Sequence, residues 1–136
     1  MRIFVDANIL FSAAKSEGAI RELLTLLDRS GHQCRVDAYV IEEARRNVLA
    51  TAPDAMPVLE RVLSRVKTPA VRRIDTALET ALPLPANDRP VLAAAILDAC
   101  DALVTGDRSH FGSPYGRTIH GVAIHSPRSL AEALLR

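Results

Sequence analysis

Cysteine is scarce in this 136-residue chain: only Cys34 and Cys100 occur, each alone inside an apolar segment and without C-x-x-C spacing. That pattern excludes a disulfide framework or a zinc ribbon, and the thiols read as small buried hydrophobes suited to a reducing compartment. Long hydrophobic runs are lacking too. The longest, Val91–Leu97, falls far short of the roughly 20 residues a spanning helix needs. The first residues, Arg2-Ile3-Phe4-Val5, read as a strand rather than a basic-then-apolar leader. A cytoplasmic protein with no membrane association is therefore expected. Charge of one sign is also missing: 17 Lys and Arg stand against 16 Asp and Glu, for a formal net charge of +1. This excludes an overall polybasic chain but leaves room for a local basic surface. Internal repeats, low-complexity tracts, linkers, a Gly-rich phosphate loop and a Ser-His-Asp arrangement are all absent. The length suits one domain, residues 1–136, able to bury roughly two-thirds of its unfolded surface without staples.

What is present is an alternation of strand-like and helix-like stretches. Arg2–Val5 reads as a strand ending at Asp6, and Ile9–Ala14 as a helix. Ala19–Arg29 carries Ile20, Leu23, Leu24 and Leu27 at helical spacing and is closed by Gly31. Gln33–Val36 reads as a second strand, and Asp37 as the cap of a helix over Ala38–Leu49. The proline-punctuated segment 51–86 still holds the apolar stripe Met56, Leu59, Val62, Leu63 and Val66, a helical excursion from the sheet. Ala70–Ile74 suits a short strand or link, and Asp75–Leu82 a short helix. Asn87 is the expected cap of a helix with Pro90 in its first turn, leading into the buried strand Ala102–Thr105. After a turn-rich loop over Arg108–Gly116 come a last strand over Thr118–Ile124 and a helix over Pro127–Leu135 capped by Ser126. Such alternation argues an α/β fold with a mostly parallel sheet, right-handed crossovers and helices on both faces.

In sheets of this kind the working crevice lies beyond the carboxyl ends of the strands. Asp6 and Asp107 end two strands there, Asp88 opens a helix that should start there, and Glu43 lies early in a helix leaving the same edge. Each acid alone has a plain explanation as a cap, a turn residue or a solvated charge. Four together would repel one another unless a cation neutralised them, and carboxylate oxygens are the donors that Mg²⁺ or Mn²⁺ prefer. The constellation points to metal-assisted hydrolysis. Asp98 and Asp101, at the other end of the helix, read as surface or local structure, and His110, His120 and His125 lack ligand spacing.

Val5-Asp6-Ala7-Asn8, Glu43 on an early helix, Asp88 in Asp-Arg-Pro-Val-Leu-Ala-Ala-Ala and the segment Leu-Val-Thr-Gly-Asp-Arg-Ser-His-Phe together resemble the PIN-domain family, including the VapC-like toxin ribonucleases of bacterial toxin–antitoxin pairs. The resemblance spans essentially the whole chain. It departs at Asp37-Ala38-Tyr39, where many relatives carry small hydroxyl residues. It implies a three-layer sandwich with a central, mostly parallel sheet flanked by helices. It also implies catalytic, metal-coordinating acids at Asp6, Glu43, Asp88 and Asp107, supported by Asn8 and Thr105, in an endoribonuclease dependent on Mg²⁺ or Mn²⁺. An antitoxin protein and a second copy of the chain are the implied partners. RNA bound beside an acidic pocket needs nearby cations, for which Lys15, Arg89 and Arg108 are the candidates. The alternative is a catalytically silent module of the same fold that binds RNA or a protein. A receiver domain would want an acidic pair and a late lysine, and a haloacid-dehalogenase-like phosphatase would want an aspartate where Asn8 stands.

Overall fold

The sheet grows outward from β1 (Arg2–Val5), whose Ile3, Phe4 and Val5 are fully buried. A strand apolar at successive positions suits the centre of a sheet covered on both faces. The computed structural model describes residues 1–69, 73–106 and 116–135. β2 (Gln33–Arg35) and β3 (Ala102–Val104) flank β1, and β5 (Val122–His125) and β4 (Thr118–Ile119) continue outward from β3, giving the order β2-β1-β3-β5-β4. All pairings are parallel except β4 with β5. Register places Phe4 beside Arg35 on one side and Leu103 on the other, with Val104 beside His125. The expected mostly parallel sheet flanked by helices is what the chain forms.

The helices are α1 (Ala7–Lys15), α2 (Ala19–Arg29), α3 (Ala38–Thr51), α4 (Met56–Leu63), α5 (Thr76–Ala81), α6 (Arg89–Leu97) and α7 (Pro127–Leu134). Caps explain several starts. Asp37 accepts from the Val40 N–H, Asp75 from Leu78, and Ser126 forms a reciprocal capping box with Ser129. α1 packs on α2, α3 and α4, while α7 lies against β5 and α2. The apolar stripe of the excursion packs on the chain's own core: Leu59 is fully buried and Met56, Val62, Leu63 and Val66 are partly so. Between α2 and α4 a cleft of about 240 Å³ remains, floored by Leu24, Val58 and Val62 and rimmed by Arg21, Arg61 and Arg65. No helix among the described residues is long and apolar enough to cross a membrane.

Three local expectations change. The strand expected over Thr118–Ile124 is a hairpin, because His120 (φ 48°) and Gly121 (φ 82°) both take the left-handed conformation and turn the chain between β4 and β5. Asn87 does not cap α6. The Asp88 N–H bonds the Pro85 carbonyl at 3.0 Å, so Asn87 lies inside a turn and Asp88 itself occupies the cap position, its side chain not used as a cap. No strand forms over the described residues 73–74; the rest of Ala70–Ile74 lies outside the described residues. The sheet is instead extended by a single parallel bridge from Lys67 to Arg35.

α2 and α6 end in the same way but with different residues. His32 N–H bonds the Leu27 carbonyl and Gly31 N–H the Asp28 carbonyl; Cys100 N–H bonds Ala95 and Ala99 N–H bonds Ile96. Both are Schellman closures, which need a residue with positive φ just past the helix. Gly31 (φ 84°) supplies it freely, whereas Ala99 (φ 53°) does so against its Cβ. Replacing Ala99 with Gly relieves a left-handed conformation costing roughly 1–2 kcal/mol, partly offset by the extra freedom of glycine in the unfolded chain. Urea denaturation of Ala99→Gly is expected to show a gain of about 0.5–1 kcal/mol; a loss of stability would mean that the alanine methyl makes a packing contact worth more than the strain.

Candidate functional site

The site takes its position from an anchor at the far edge of the sheet. The Arg2 guanidinium donates to the Asp98 carbonyl at 2.6 Å and to its Oδ1 at 3.0 Å, and Arg35 grips the same carboxylate through two nitrogens. Asp101 adds an Oδ2 acceptor for the Arg2 N–H at 2.9 Å. The C-terminal end of α6 is thereby pinned to the amino-terminal end of β1. Beyond that pin, Asp88 lies ten residues back along α6, about 15 Å at 1.5 Å per residue. Asp6 lies four residues along β1 from Arg2, about 13 Å at roughly 3.3 Å per residue. Asp6 follows the last residue of β1 and Asp88 opens α6, so both belong to the carboxyl edge of the sheet. They also share a face. A cleft of about 210 Å³ between α6 and the sheet is lined by Phe4, Ala94 and Leu97, and Asp6 follows Phe4 by two residues, so both project to the side that α6 covers. Asp6 and Asp88 are each only 7% exposed.

Asp6 is held by a short chain of hydrogen bonds. Its Oδ1 accepts the Ala7 N–H at 2.7 Å and its Oδ2 accepts the Thr105 hydroxyl at 2.8 Å. Asn8 donates from Nδ2 to Thr105 Oγ1 at 3.3 Å and accepts the Gly106 N–H on Oδ1 at 3.0 Å. The backbone prolongs the ladder through Asp6 N–H to Val104 and Thr105 N–H to the His125 carbonyl, at 3.1 and 3.0 Å. Thr105 is fully buried. Both carboxylate oxygens of Asp6 are thereby engaged as acceptors.

The remaining expected residues fall in different places. Glu43 lies in the second turn of α3, half-buried, while Glu42 beside it is exposed. Asp37, 3% exposed, caps α3. Asp107 and Arg108 lie outside the described residues. Arg89 is half-buried and donates from Nε to the Leu84 carbonyl at 2.8 Å, bracing the turn before α6. Lys15 stands in the last turn of α1, with its ammonium 5.6 Å from the centre of the Phe11 ring. It sits at the opposite end of that helix from Asp6, about 12 Å along the axis from Ala7. Among the described residues no group of three or more His, Cys, Asp or Glu side chains is placed to hold a metal ion. Asp6 and Asp88 nevertheless offer hard oxygen donors of the kind Mg²⁺ and Mn²⁺ take, and the chain continues from Gly106, tied to Asn8, directly into Asp107.

Other nucleophiles are poorly placed. Burial, helped by Asp28, pushes the Cys34 thiol up to about 11; burial, helped by Asp98, pushes Cys100 to about 12, so neither offers a thiolate near neutral pH. His125 pairs with Val104 in register, one residue before Thr105, and so faces the other side of the sheet from Asp6 and Thr105. Its Nδ1 lies 2.9 Å from Ser129 Oγ at the start of α7, and burial holds its pKa below the ordinary value.

A PIN-domain family model matches residues 2–109. The chain belongs to the PIN-domain family. No curated protein sequence matches it. Among solved structures, the PIN domain described here is similar to a chain in the crystal structure of VapBC2 from Rickettsia felis bound to a DNA fragment from their promoter. The TM-score is 0.65 at 18% identity, over 93% of this chain and 98% of that one. At that identity the likeness is one of fold.

Asp98 is the positioning residue that sequence reasoning missed, having read it as surface or local structure. An acid at the C-terminal end of a helix opposes the helix dipole, and that mismatch is the signal of a cationic partner elsewhere. Its side chain is 11% exposed and that of Arg35 12%. Asp98→Ala leaves a largely buried guanidinium without its carboxylate, for an expected loss of about 3 kcal/mol in urea denaturation. A loss below about 1 kcal/mol, the range of an exposed pair, would show that the anchor does not set the level of α6.

Proposed function

We propose that this PIN domain is an endoribonuclease dependent on Mg²⁺ or Mn²⁺, the toxin of a toxin–antitoxin pair, with Asp6, Glu43, Asp88 and Asp107 as its metal-coordinating acids. The observation that supports the reading is the burial of two carboxylates, Asp6 at the end of β1 and Asp88 at the start of α6, with Asp107 following the neighbouring strand in sequence. When bound, a divalent ion would orient a water and offset charge on the scissile phosphate. The protein's part is to hold the donors in place. Thr105 and the Ala7 N–H fix the Asp6 carboxylate, and the burial of Asp88, 7% exposed, strengthens its attraction for a cation. Arg89 and Arg108 adjoin two of the acids in sequence and are the first candidates for phosphate contact; Lys15, at the far end of α1, would meet only a longer substrate. An antitoxin partner is proposed from the likeness to a chain of the VapBC2 complex, and a homodimer in the cytoplasm from the wider family resemblance.

The second reading is a catalytically silent module that binds RNA or a protein. A panel of single-stranded and hairpin RNAs incubated with Mn²⁺, and again with a chelator, separates the two. Cleavage that needs the metal and falls roughly 100-fold or more in Asp6→Asn, the scale on which one charge-stabilising group counts, supports the nuclease. RNA binding without cleavage supports the silent module. Cleavage that survives chelation contradicts the metal site.

A further inference from the structure

We infer that Arg89 is a positioning residue: the bond from its Nε to the Leu84 carbonyl does the work of a cap at the start of α6, and so sets where Asp88 presents its carboxylate. The inference rests on the metal-site reading above. Among the described residues, α1, α3, α5 and α7 each begin on an extended residue whose side chain bonds an amide of the first turn: Asp6 to Ala7, Asp37 to Val40, Asp75 to Leu78 and Ser126 to Ser129. α2 and α4 begin on Gly18 and Ala55, which carry no side-chain oxygen to cap with. α6 is the exception. Asp88, of a residue type that caps well, stands at its start with φ −97° and ψ −15°, a helical rather than an extended backbone, and makes no capping bond. Two other bonds fix that start. The Asp88 N–H closes a turn onto the Pro85 carbonyl at 3.0 Å, and the Arg89 Nε–H reaches back five residues to the Leu84 carbonyl at 2.8 Å. Leu84 is a firm point to reach for. It is buried with Leu82, its N–H bonds the Leu82 carbonyl at 2.9 Å, and Pro83 and Pro85 restrict the backbone on either side. A charged donor makes this bond stronger than one between neutral groups. Asp88 lies inside the clamped turn, so the clamp holds the backbone from which its carboxylate leaves.

A phosphate contact would depend on the charge of Arg89, whereas the clamp depends on its Nε donor. Glutamine separates the two, because its Nε2 donor stands as many bonds from the backbone as the arginine Nε does; methionine keeps the stem but has neither charge nor donor. Arg89 adjoins Asp88, so loss of its charge by itself should tighten Mn²⁺ binding, and a comparison of two uncharged variants cancels that effect. In Mn²⁺ titrations followed by electron paramagnetic resonance, Arg89→Met is expected to bind about tenfold more weakly than Arg89→Gln, the scale on which groups that orient metal ligands act. With Asp88→Asn added to each, the two should agree within twofold, because no carboxylate is left there to orient. Hydrogen exchange reads the clamp without metal. The amides of Ala93 and Ala94, which close the first turn of α6, should exchange about tenfold faster in Arg89→Met than in Arg89→Gln, since local opening there has one bond fewer to break. Should Arg89→Met fail to fold, Arg89→Ala, which also lacks the donor, is expected to show the same weakening against Arg89→Gln. Wild-type protein that binds no Mn²⁺ overturns the metal-site reading and this inference with it. Wild-type binding with Arg89→Met within twofold of Arg89→Gln, equal exchange in the two, or a tenfold difference that persists with Asp88→Asn, overturns the inference alone.

Discussion

The grip of Arg2 and Arg35 on Asp98 ties the C-terminal end of α6 to β1 and β2. A helix packed on a sheet can slide along it at small cost as long as its contacts are alanines and leucines, and α6 is built of those. A bidentate guanidinium–carboxylate pair does not slide, because its geometry is directional and its charges are largely out of water. With the C-terminal end of α6 fixed, the ten residues back to Asp88 span about 15 Å toward the carboxyl edge. The same end of the helix contains Ala99 in a left-handed conformation, the one backbone compromise this turn requires.

At the carboxyl edge the chain keeps acids where an apolar core would be cheaper. Asp6, Asp88 and Asp37 are all nearly enclosed, and enclosure raises the cost of each negative charge. Asp6 and Asp37 offset this with backbone or hydroxyl donors. For Asp37 that bond closes a helix start, a structural return. Asp6 also caps a helix, yet its second oxygen is aimed at by a buried threonine that is itself oriented from Asn8, more apparatus than a cap needs. Investment of this kind is the mark of a group whose orientation matters.

Much of this was legible in the order of residues. Successive apolar residues in Ile3-Phe4-Val5 and Ala102-Leu103-Val104 announce central parallel strands, and the periodicity of Ala19–Arg29 gives α2 to the residue. The two-residue turn at His120-Gly121 was not legible, because histidine seldom signals a positive φ and the flanking residues alternate like one strand. The role of Asp98 was hidden for a different reason: its partners are 63 and 96 positions away, and no local pattern encodes such a distance. Thr105 and Asn8 could be named from the sequence, but the polarity of their hydrogen bonds could not.

The most direct test of the site is crystallographic. Crystals soaked in Mn²⁺ and measured at a wavelength where manganese scatters anomalously should show a peak in contact with the carboxylates of Asp6 and Asp88. A peak bound elsewhere on the surface, or none at these two carboxylates at saturating Mn²⁺, would contradict a metal centre at this edge of the sheet.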